Sequence, residues 1–549
     1  MAGPAPVARP LWATVLERVV GWALGLPPET CGYTTQELKI HLPDGAILIA
    51  DFFRPNGKDV KGTVLVRGPY GRGFLFSLIM ARIYAARGYQ VLFVSCRGTF
   101  GSTGVFDAGA SEAKDGQDVV AWMREQAWYT GTFATLGGSY LGFTQWALLA
   151  DPPPDMVAAV MTVAPHDTAE RLWGTGAFSL QQQILWADII SKQETQGLWG
   201  KFMAFRDPNR LDPLMKNIPL EPALRRYFGD KTPWLYEQIK NPDLDHEIWA
   251  KERHGKALEK ANIPILLVTC WYDVFFEQTM EQYQVLSRRG CPVALRIRSG
   301  GHVDAQNGDT TEQSLQWLET HLARNQSSKK IPAVRIYRDG DAPEWLELPK
   351  WPPSTSHREY FLSAGGKLGD LHSSEGDTSS FVFDPSNPTP TVGGPLMIGG
   401  GSVEDTALCS RDDVITFTSE PLTEPLDIFG RPCVDLFHSS DTPFCDLFVR
   451  LSIVDSQGRS RNITERYRRI DASREGKLID LDLLDTAYRV PSGSRIRLVI
   501  AGGCFPKYSP NLGSGESFAT GTILKPARHT VHFGGGSDSC LILPVSKTS

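Results

Sequence analysis

Three residues of this chain have the types and order needed to break an acyl bond by nucleophilic attack: Ser139, Asp273 and His302. A serine hydroxyl is a weak nucleophile at neutral pH. A histidine must take its proton, and a carboxylate must hold that histidine in the productive tautomer. Ser139 lies in Leu136-Gly137-Gly138-Ser139-Tyr140-Leu141-Gly142. Apolar residues 133–136 read as a short buried strand and residues 143–150 as a helix, so the serine falls on a sharp strand-to-helix turn. Such a turn is strained and crowded, and a side chain at Gly138 or Gly142 would strike the neighbouring strand or helix. The motif reads G-x-S-x-x-G, one residue longer than the common G-x-S-x-G, and alone it also fits a glycine-rich turn with a solvated serine.

The other two members narrow the choice. Asp273 follows the apolar run Ile263-Pro264-Ile265-Leu266-Leu267-Val268-Thr269, in Cys270-Trp271-Tyr272-Asp273-Val274. His302 follows Val293-Ala294-Leu295-Arg296-Ile297-Arg298, in Ser299-Gly300-Gly301-His302-Val303. Their separation of 29 positions leaves room for one helix and one strand. Ser, then Asp, then His, with the last two on loops after sheet strands, is the order of the α/β-hydrolase triad. Taken singly, Asp273 could cap the helix after it and His302 is one of 11 histidines. The rival acids are weaker: Glu277 falls inside the helix, and Asp304 is too near His302 in sequence. Acyl transfer also needs donors for the developing oxyanion. The backbone N–H of Tyr140, directly after the nucleophile, is one. Tyr70, in the loop after the strand of residues 63–67, offers its phenol as the second, or else is an aromatic packed at the loop's base.

The elements that must position these residues alternate from residue 35 onward. A hairpin is expected over 35–53, with its turn at Pro43-Asp44-Gly45; strands at 63–67 and 90–94; helices at 76–87 and 115–125; and a strand at 157–164. Strands alternating with helices predict a parallel sheet with right-handed crossovers. From 166 to 260 the pattern turns helical and tryptophan-rich, with Trp173, Trp186, Trp199, Trp234 and Trp249. An insertion there would cap the carboxyl edge of the sheet, where ligands bind in open α/β folds. Most of these tryptophans read as helix-packing core. Beyond Ser328 turn residues are dense and alternating runs such as 446–454 and 494–500 appear, which predicts an all-β sandwich or jelly roll. The expected domains are therefore an N-terminal extension with an amphipathic helix (1–34), a sheet core in two parts (35–165 and 261–328) split by a helical cap (166–260), and a C-terminal jelly roll (329–549).

Composition sets limits on the partners. With 549 residues the chain exceeds a single core. A net charge of −6 gives no reason to expect nucleic acid or an anionic membrane. Nine cysteines without C-x-x-C pairs read as free thiols of a reducing compartment, and no metal site is legible. The segment 11–24 carries Glu17 and Arg18 and is too short to span a bilayer; a helix packed on the body is expected ahead of a membrane-surface or partner-binding one. With no secretion signal, the localisation expected is soluble and cytoplasmic.

Several stretches together resemble the cocaine esterase family, also called the X-Pro dipeptidyl-peptidase-like hydrolases. They are Arg67-Gly68-Pro69-Tyr70-Gly71, Cys96-Arg97-Gly98-Thr99-Phe100-Gly101-Ser102-Thr103-Gly104, Gly138-Ser139-Tyr140-Leu141-Gly142, Trp271-Tyr272-Asp273 and Phe505-Pro506-Lys507-Tyr508-Ser509-Pro510-Asn511. The resemblance runs from about residue 35 to 545. It implies an α/β-hydrolase core, an inserted helical cap and a C-terminal jelly-roll β-sandwich. It also implies nucleophile Ser139, acid Asp273, base His302, oxyanion donors Tyr70 and Tyr140, and an acyl pocket lined by Trp173 and Trp186, with no cofactor. The approach to the base, Ser299-Gly300-Gly301, departs from the aromatic-led one usual in the family. No carboxylate cluster for a substrate ammonium is legible, so ester cleavage stands ahead of peptide cleavage. The expected activity is hydrolysis of a small-molecule ester or amide through an acyl-enzyme. Alternatives are acyl transfer to an alcohol or amine, X-Pro or acylaminoacyl peptidase activity, and a non-enzymatic scaffold, which the intact triad disfavours.

Overall fold

The computed structural model describes residues 5–57, 59–195, 207, 209–306, 309–325, 331–471 and 476–546. Trp199 and the expected boundary at 328/329 lie outside them. Helix α1 (Leu11–Ala23) precedes ten sheet strands: β1 (Tyr33–His41), β2 (Ile47–Pro55), β3 (Thr63–Gly68), β4 (Gln90–Ser95), β5 (Phe133–Gly138), β6 (Met156–Thr162), β7 (Ile265–Tyr272), β8 (Val293–Gly301), β9 (Val334–Gly340) and β10 (Glu344–Leu348). Their spatial order is β1-β2-β4-β3-β5-β6-β7-β8-β9-β10. From β4 to β9 every pairing is parallel, while β1, β2 and β10 run antiparallel to their neighbours. Every residue of β3, β4 and β5 is buried, which is why these strands read as unbroken apolar runs rather than as alternation. One face packs on Trp146, Met280 and Leu286, the other on Leu78, Tyr84 and Leu318. The expected hairpin closes where Leu42 N–H donates to the Ala46 carbonyl at 2.8 Å, with Gly45 at φ +89°.

The C-terminal part is mostly β, as its turn density implies, with a four-residue helix at Thr406–Cys409. Its strands close over a core that includes Leu436, Leu447, Val449, Leu498, Val531 and Leu541. The strand expected at 446–454 extends over Phe444–Val454 and pairs antiparallel with Arg495–Ala501, Leu451 facing Leu498. Its alternation is real, but its polar side is not solvated: Asp446, Arg450 and Ser452 are fully buried. Arg450 pairs with Glu465 at 2.5 Å, and Asp446 with Arg469 at 2.8 Å. A buried cation without such partners would cost several kcal/mol.

The two parts share a strand. Residues 334–336 of β9 pair with β8, and Asp339 and Gly340 pair with Tyr488 and Arg489 of the β domain. The tryptophan-rich insertion lies over the carboxyl edge of the sheet, its tryptophans Trp173, Trp234 and Trp249 in one core with Met397, Phe505 and Phe518 of the β domain. Backbone bonds tie the same surfaces together, among them Arg469 N–H to Thr175 O at 2.7 Å and Ser509 N–H to Phe178 O at 2.9 Å.

Helix α1 packs on the body with its polar side inward. Ala13, Glu17 and Gly21 are buried, while Leu11, Trp12, Val15, Val19 and Trp22 are exposed. The reason is Glu17, which accepts from Tyr33 Oη at 2.7 Å and pairs with Arg9 at 2.8 Å. No helix among the described residues is long and apolar enough to cross a membrane.

Candidate active site

Ser139 joins β5 to helix α2 (Tyr140–Leu149) and holds φ +57°, ψ −123°. A non-glycine residue there is strained by about 1–3 kcal/mol, so the surroundings must enforce it. Ser139 N–H donates to Thr162 O at 2.9 Å, and Ser139 O accepts from the N–H groups of Gly142 and Phe143 at 2.8 and 3.0 Å. Contact excludes a side chain at Gly142 and crowds one at Gly138. A Cβ on Gly142 would lie 2.3 Å from the Ala164 Cβ, and one on Gly138 2.5 Å from Gln306 Nε2.

The residues expected as base and acid, His302 and Asp273, arrive from two neighbouring strands. His302 follows the last residue of β8 and opens a short 3-10 turn, His302–Gln306. Its Nε2 lies 3.1 Å from Ser139 Oγ, and its Nδ1 lies 2.7 Å from Asp273 Oδ1. Asp273 directly follows β7 and is 1% exposed; its second oxygen accepts from Thr269 Oγ1 at 3.0 Å. Phe275 meets the imidazole edge-on at 5.1 Å. The rival acids have other work. Asp304 accepts from Gly301 N–H at 2.9 Å and so shapes the loop carrying His302, and Glu277 pairs with Arg466 of the β domain at 2.5 Å. The Gly300-Gly301 approach is explained by Asp304: Gly300 sits at φ +102°, and a Cβ there would be 2.7 Å from Asp304 Oδ2.

Tyr70 and Tyr140 flank the serine. The Tyr140 N–H is the first of helix α2 and has no acceptor within the helix. The Tyr70 phenol interacts with Ser139 and accepts from Trp186 Nε1–H at 3.2 Å. Burial pushes the Tyr70 phenol up, so it keeps its proton at neutral pH. Its proton remains available because Trp186 contacts the oxygen. Trp186 itself lies on cap helix α4 (Leu180–Lys192), beyond the short helix α3 (Thr168–Trp173), and stacks on the Tyr140 ring at 5.9 Å and 17°. Trp173 is elsewhere. Its indole donates to Gln238 O at 2.9 Å and its ring packs on Phe178 and Phe518, away from the cavity at Ser139.

Sequence reasoning missed the support behind Tyr140. Its hydroxyl donates to Glu112 Oε1 at 3.0 Å, and Glu112 Oε2 accepts from Arg67 Nη2 at 2.5 Å. Arg67 and Glu112 were visible as residues, but nothing in their spacing shows that β3 and the helix Glu112–Arg124 bring them together. Burial raises the Glu112 carboxyl against the opposing pull of Arg67, and pushes the neighbouring Cys96 thiol far up, so that cysteine is an inert wall.

Beside Ser139 is a void of about 40 Å³, lined by Tyr70, Phe143, Arg171, Trp186, Phe275 and Met397 among others. Met397 comes from the β domain, which thus closes one side of the site. A cavity of about 530 Å³ adjoins it, sharing Arg171, Gln182, Phe275 and Met397. Besides Asp273 and Glu465, four carboxylates line this larger cavity, Asp167, Glu170, Glu277 and Glu281. Cap and core contribute two each, which is why no local spacing reveals them. Among the described residues, no group of three or more His, Cys, Asp or Glu is arranged to hold a metal ion.

Residues 44–304 match the X-Pro dipeptidyl-peptidase (S15 family), and residues 325–542 match the X-Pro dipeptidyl-peptidase C-terminal non-catalytic domain. The chain belongs to the cocaine esterase / X-Pro dipeptidyl-peptidase-like family of serine hydrolases. A cocaine esterase from Rhodococcus sp. is 25% identical over 567 aligned residues, covering 92% of this chain and 98% of the relative. Among solved structures, an aminopeptidase from the marine sediment archaeon Thaumarchaeota archaeon superposes with TM-score 0.79 at 20% identity, covering 94% of this chain and 96% of that one. An α-amino acid ester hydrolase does so with TM-score 0.78 at 21% identity, covering 93% and 96%. These likenesses show a shared α/β-hydrolase fold with a mostly β C-terminal domain. As a member of this family, the chain is a hydrolase of the serine esterase type.

Proposed function

We propose that this hydrolase cleaves carboxylic esters through an acyl-enzyme on Ser139. His302 Nε2 takes the Ser139 proton as Oγ attacks the ester carbonyl, and Asp273 holds the ring with Nδ1–H toward its own oxygen and stabilises the imidazolium that forms. The Tyr70 hydroxyl and Tyr140 N–H take up the charge that develops on the carbonyl oxygen. His302 then returns its proton to the departing alkoxide. In the second half, a water deprotonated by His302 attacks the acyl-enzyme and releases the acid. The observation that carries this reading is the unbroken chain of contacts Ser139 Oγ, His302, Asp273, at 3.1 and 2.7 Å. Hydrolysis is favoured over transfer because the polar cavity of about 530 Å³ beside the serine gives water room to reach the acyl group.

The test is a rapid-mixing assay with p-nitrophenyl acetate and butyrate on the wild type and Ser139→Ala. The expected result is a burst of one p-nitrophenolate per chain that the alanine variant lacks, with only free acid as final product. Absence of a burst together with no labelling by a fluorophosphonate would overturn the reading. Acyl groups appearing on an added alcohol or amine in place of acid would convert it to a transferase.

A further inference from the structure

Five cationic side chains line the two cavities at the site: Arg171, Arg253, Arg431, Arg466 and Lys507. Four are neutralised. Arg253 pairs with Asp167 at 2.8 Å, Arg431 with Asp485 at 2.9 Å, Arg466 with Glu277 at 2.5 Å and Lys507 with Glu465 at 2.7 Å. Arg171 is different. Among the described residues no carboxylate lies within ion-pair distance of it. Its one side-chain hydrogen bond goes to a neutral group, Gln183 Oε1, at 2.9 Å. Of the five it is also the one that lines the void containing Ser139.

Removing a guanidinium from water without a counter-charge is costly, so structures rarely retain one in a cleft without a use for it. The carboxyls nearest in effect do not neutralise it. Glu252 is pushed up to about 8 by burial and so is neutral at pH 7, and Asp167 is already engaged by Arg253. The carboxylates Glu170 and Glu281 line the larger cavity but not the void at Ser139, and the charges acting on Glu170 are Asp167, Glu277, Arg253 and Arg466. Burial lowers the Arg171 guanidinium to about 10, which leaves it fully charged at neutral pH.

We propose that Arg171 receives an anionic group of the substrate, so that the ester cleaved at Ser139 carries a carboxylate or comparable anion a few bonds from its scissile carbonyl. This rests on the reading of Ser139 as nucleophile. The guanidinium offers a planar pair of N–H donors suited to a carboxylate. The anion takes the place of the missing acidic partner, and a neutral ester of the same size leaves the charge unanswered.

Two pairs of esters separate the sides on which the anion sits. p-Nitrophenyl hemiglutarate against its methyl ester places the charge on the acyl group. Butyryl 4-hydroxybenzoate against its methyl ester places it on the leaving group. For one pair, kcat/KM of the wild type is expected to favour the anion by at least about thirtyfold. Arg171→Gln should abolish that ratio and Arg171→Lys retain part of it. A merely structural Arg171, packed on Phe275 at 6.0 Å, would lower both members of a pair alike and leave the ratio unmoved. A wild type that shows no preference in either pair, or a ratio unaffected by Arg171→Gln, would sink the proposal. Calorimetry keeps it separate from the fate of the nucleophile. Ser139→Ala should bind monomethyl glutarate and not dimethyl glutarate, and the double variant Ser139→Ala/Arg171→Gln should bind neither. Selective binding in a protein that hydrolyses no ester would uphold Arg171 and overturn the esterase, whereas ester hydrolysis without anion selectivity would do the reverse.

Discussion

The indole N–H of Trp186, on the cap, reaches the phenolic oxygen of Tyr70, on the core, at 3.2 Å. A cap residue thus fixes the orientation of a group beside Ser139. The bond occupies a lone pair of the Tyr70 oxygen and leaves its proton free for a developing oxyanion. The cap therefore does more than wall the pocket.

Removing the Tyr70 hydroxyl as Tyr70→Phe should lower kcat for p-nitrophenyl butyrate about a hundredfold, since one preorganised oxyanion donor is lost. Trp186→Phe keeps the ring stacked on Tyr140 but releases Tyr70, and a loss of about tenfold in kcat is expected. In the Tyr70→Phe background, Trp186→Phe should cost much less, because the two act through one bond. Steady-state kinetics on the four proteins measure this coupling. Full additivity would show that Trp186 acts by some other route.

Asp273→Asn should reduce kcat by about 10³–10⁴ with little change in KM, because the amide favours the wrong imidazole tautomer. Thr269→Val tests the next contact outward. It strips Asp273 of its 3.0 Å hydrogen bond and should cost about tenfold in kcat. The rival acids give the control: Asp304→Asn distorts the His302 loop but leaves the acid in place, so some activity should survive it. If Asp304→Asn were the more damaging of the two carboxamides, Asp273 would not be the acid.

How much of this was legible depended on whether a residue's role is set locally. Ser139 was legible because its strand, turn and helix are consecutive, and Gly142 is demanded by a contact across one strand. Asp273 and His302 were legible because each follows the apolar run of its own strand. Tyr70 was recognisable by its place after β3. The cap was harder. Its helices bury side chains against loops of the β domain more than 300 residues further along, as with Phe178 N–H donating to Ser509 Oγ. No periodicity could therefore separate Trp186, which faces the serine, from Trp173, which faces Phe518. Helix α1 misleads for a related reason. Its apolar stripe suggests an inward face, but Glu17, buried by Tyr33 and Arg9, turns that stripe outward.

Glu252 predicts a pH dependence of stability. Burial raises its carboxyl from 4.5 to about 8 in the folded chain. Arg171, Asp107, Thr168 and Gln238 are the groups that act on it there. A carboxyl with a higher pKa when folded takes up a proton on folding, so stability is lost as pH rises from the unfolded value to about 8 and is level beyond. Three other buried groups titrate lower: His166 and His254 are lowered to about 4 and act only below 6.5, and Asp339 is raised to about 6. Between pH 6.5 and 8 the Glu252 contribution should approach one proton, about 1.4 kcal/mol per pH unit. Glu252→Gln keeps the shape and removes the titration. Its urea-unfolding midpoint should gain on the wild type steadily across that window, and a constant offset between the two proteins would contradict a neutral Glu252.

The elbow offers a test in which two substitutions should cancel. A methyl group at position 142 would lie 2.3 Å from the Ala164 Cβ, well inside contact distance, so Gly142→Ala must push helix α2 away from the loop after β6. Overpacking of this kind costs about 1–3 kcal/mol. It should also displace the Tyr140 N–H, which opens the same helix, and so lower kcat more than stability alone explains. Ala164→Gly removes the opposing methyl. The double variant should regain most of both losses, although the remaining contact with the Ala164 Cα at 3.0 Å keeps recovery incomplete. Thermal unfolding and p-nitrophenyl butyrate turnover on all four proteins give the two coupling terms. If Ala164→Gly rescues stability but not turnover, the Tyr140 N–H is not what the displaced helix withdraws, and its place as an oxyanion donor fails with it.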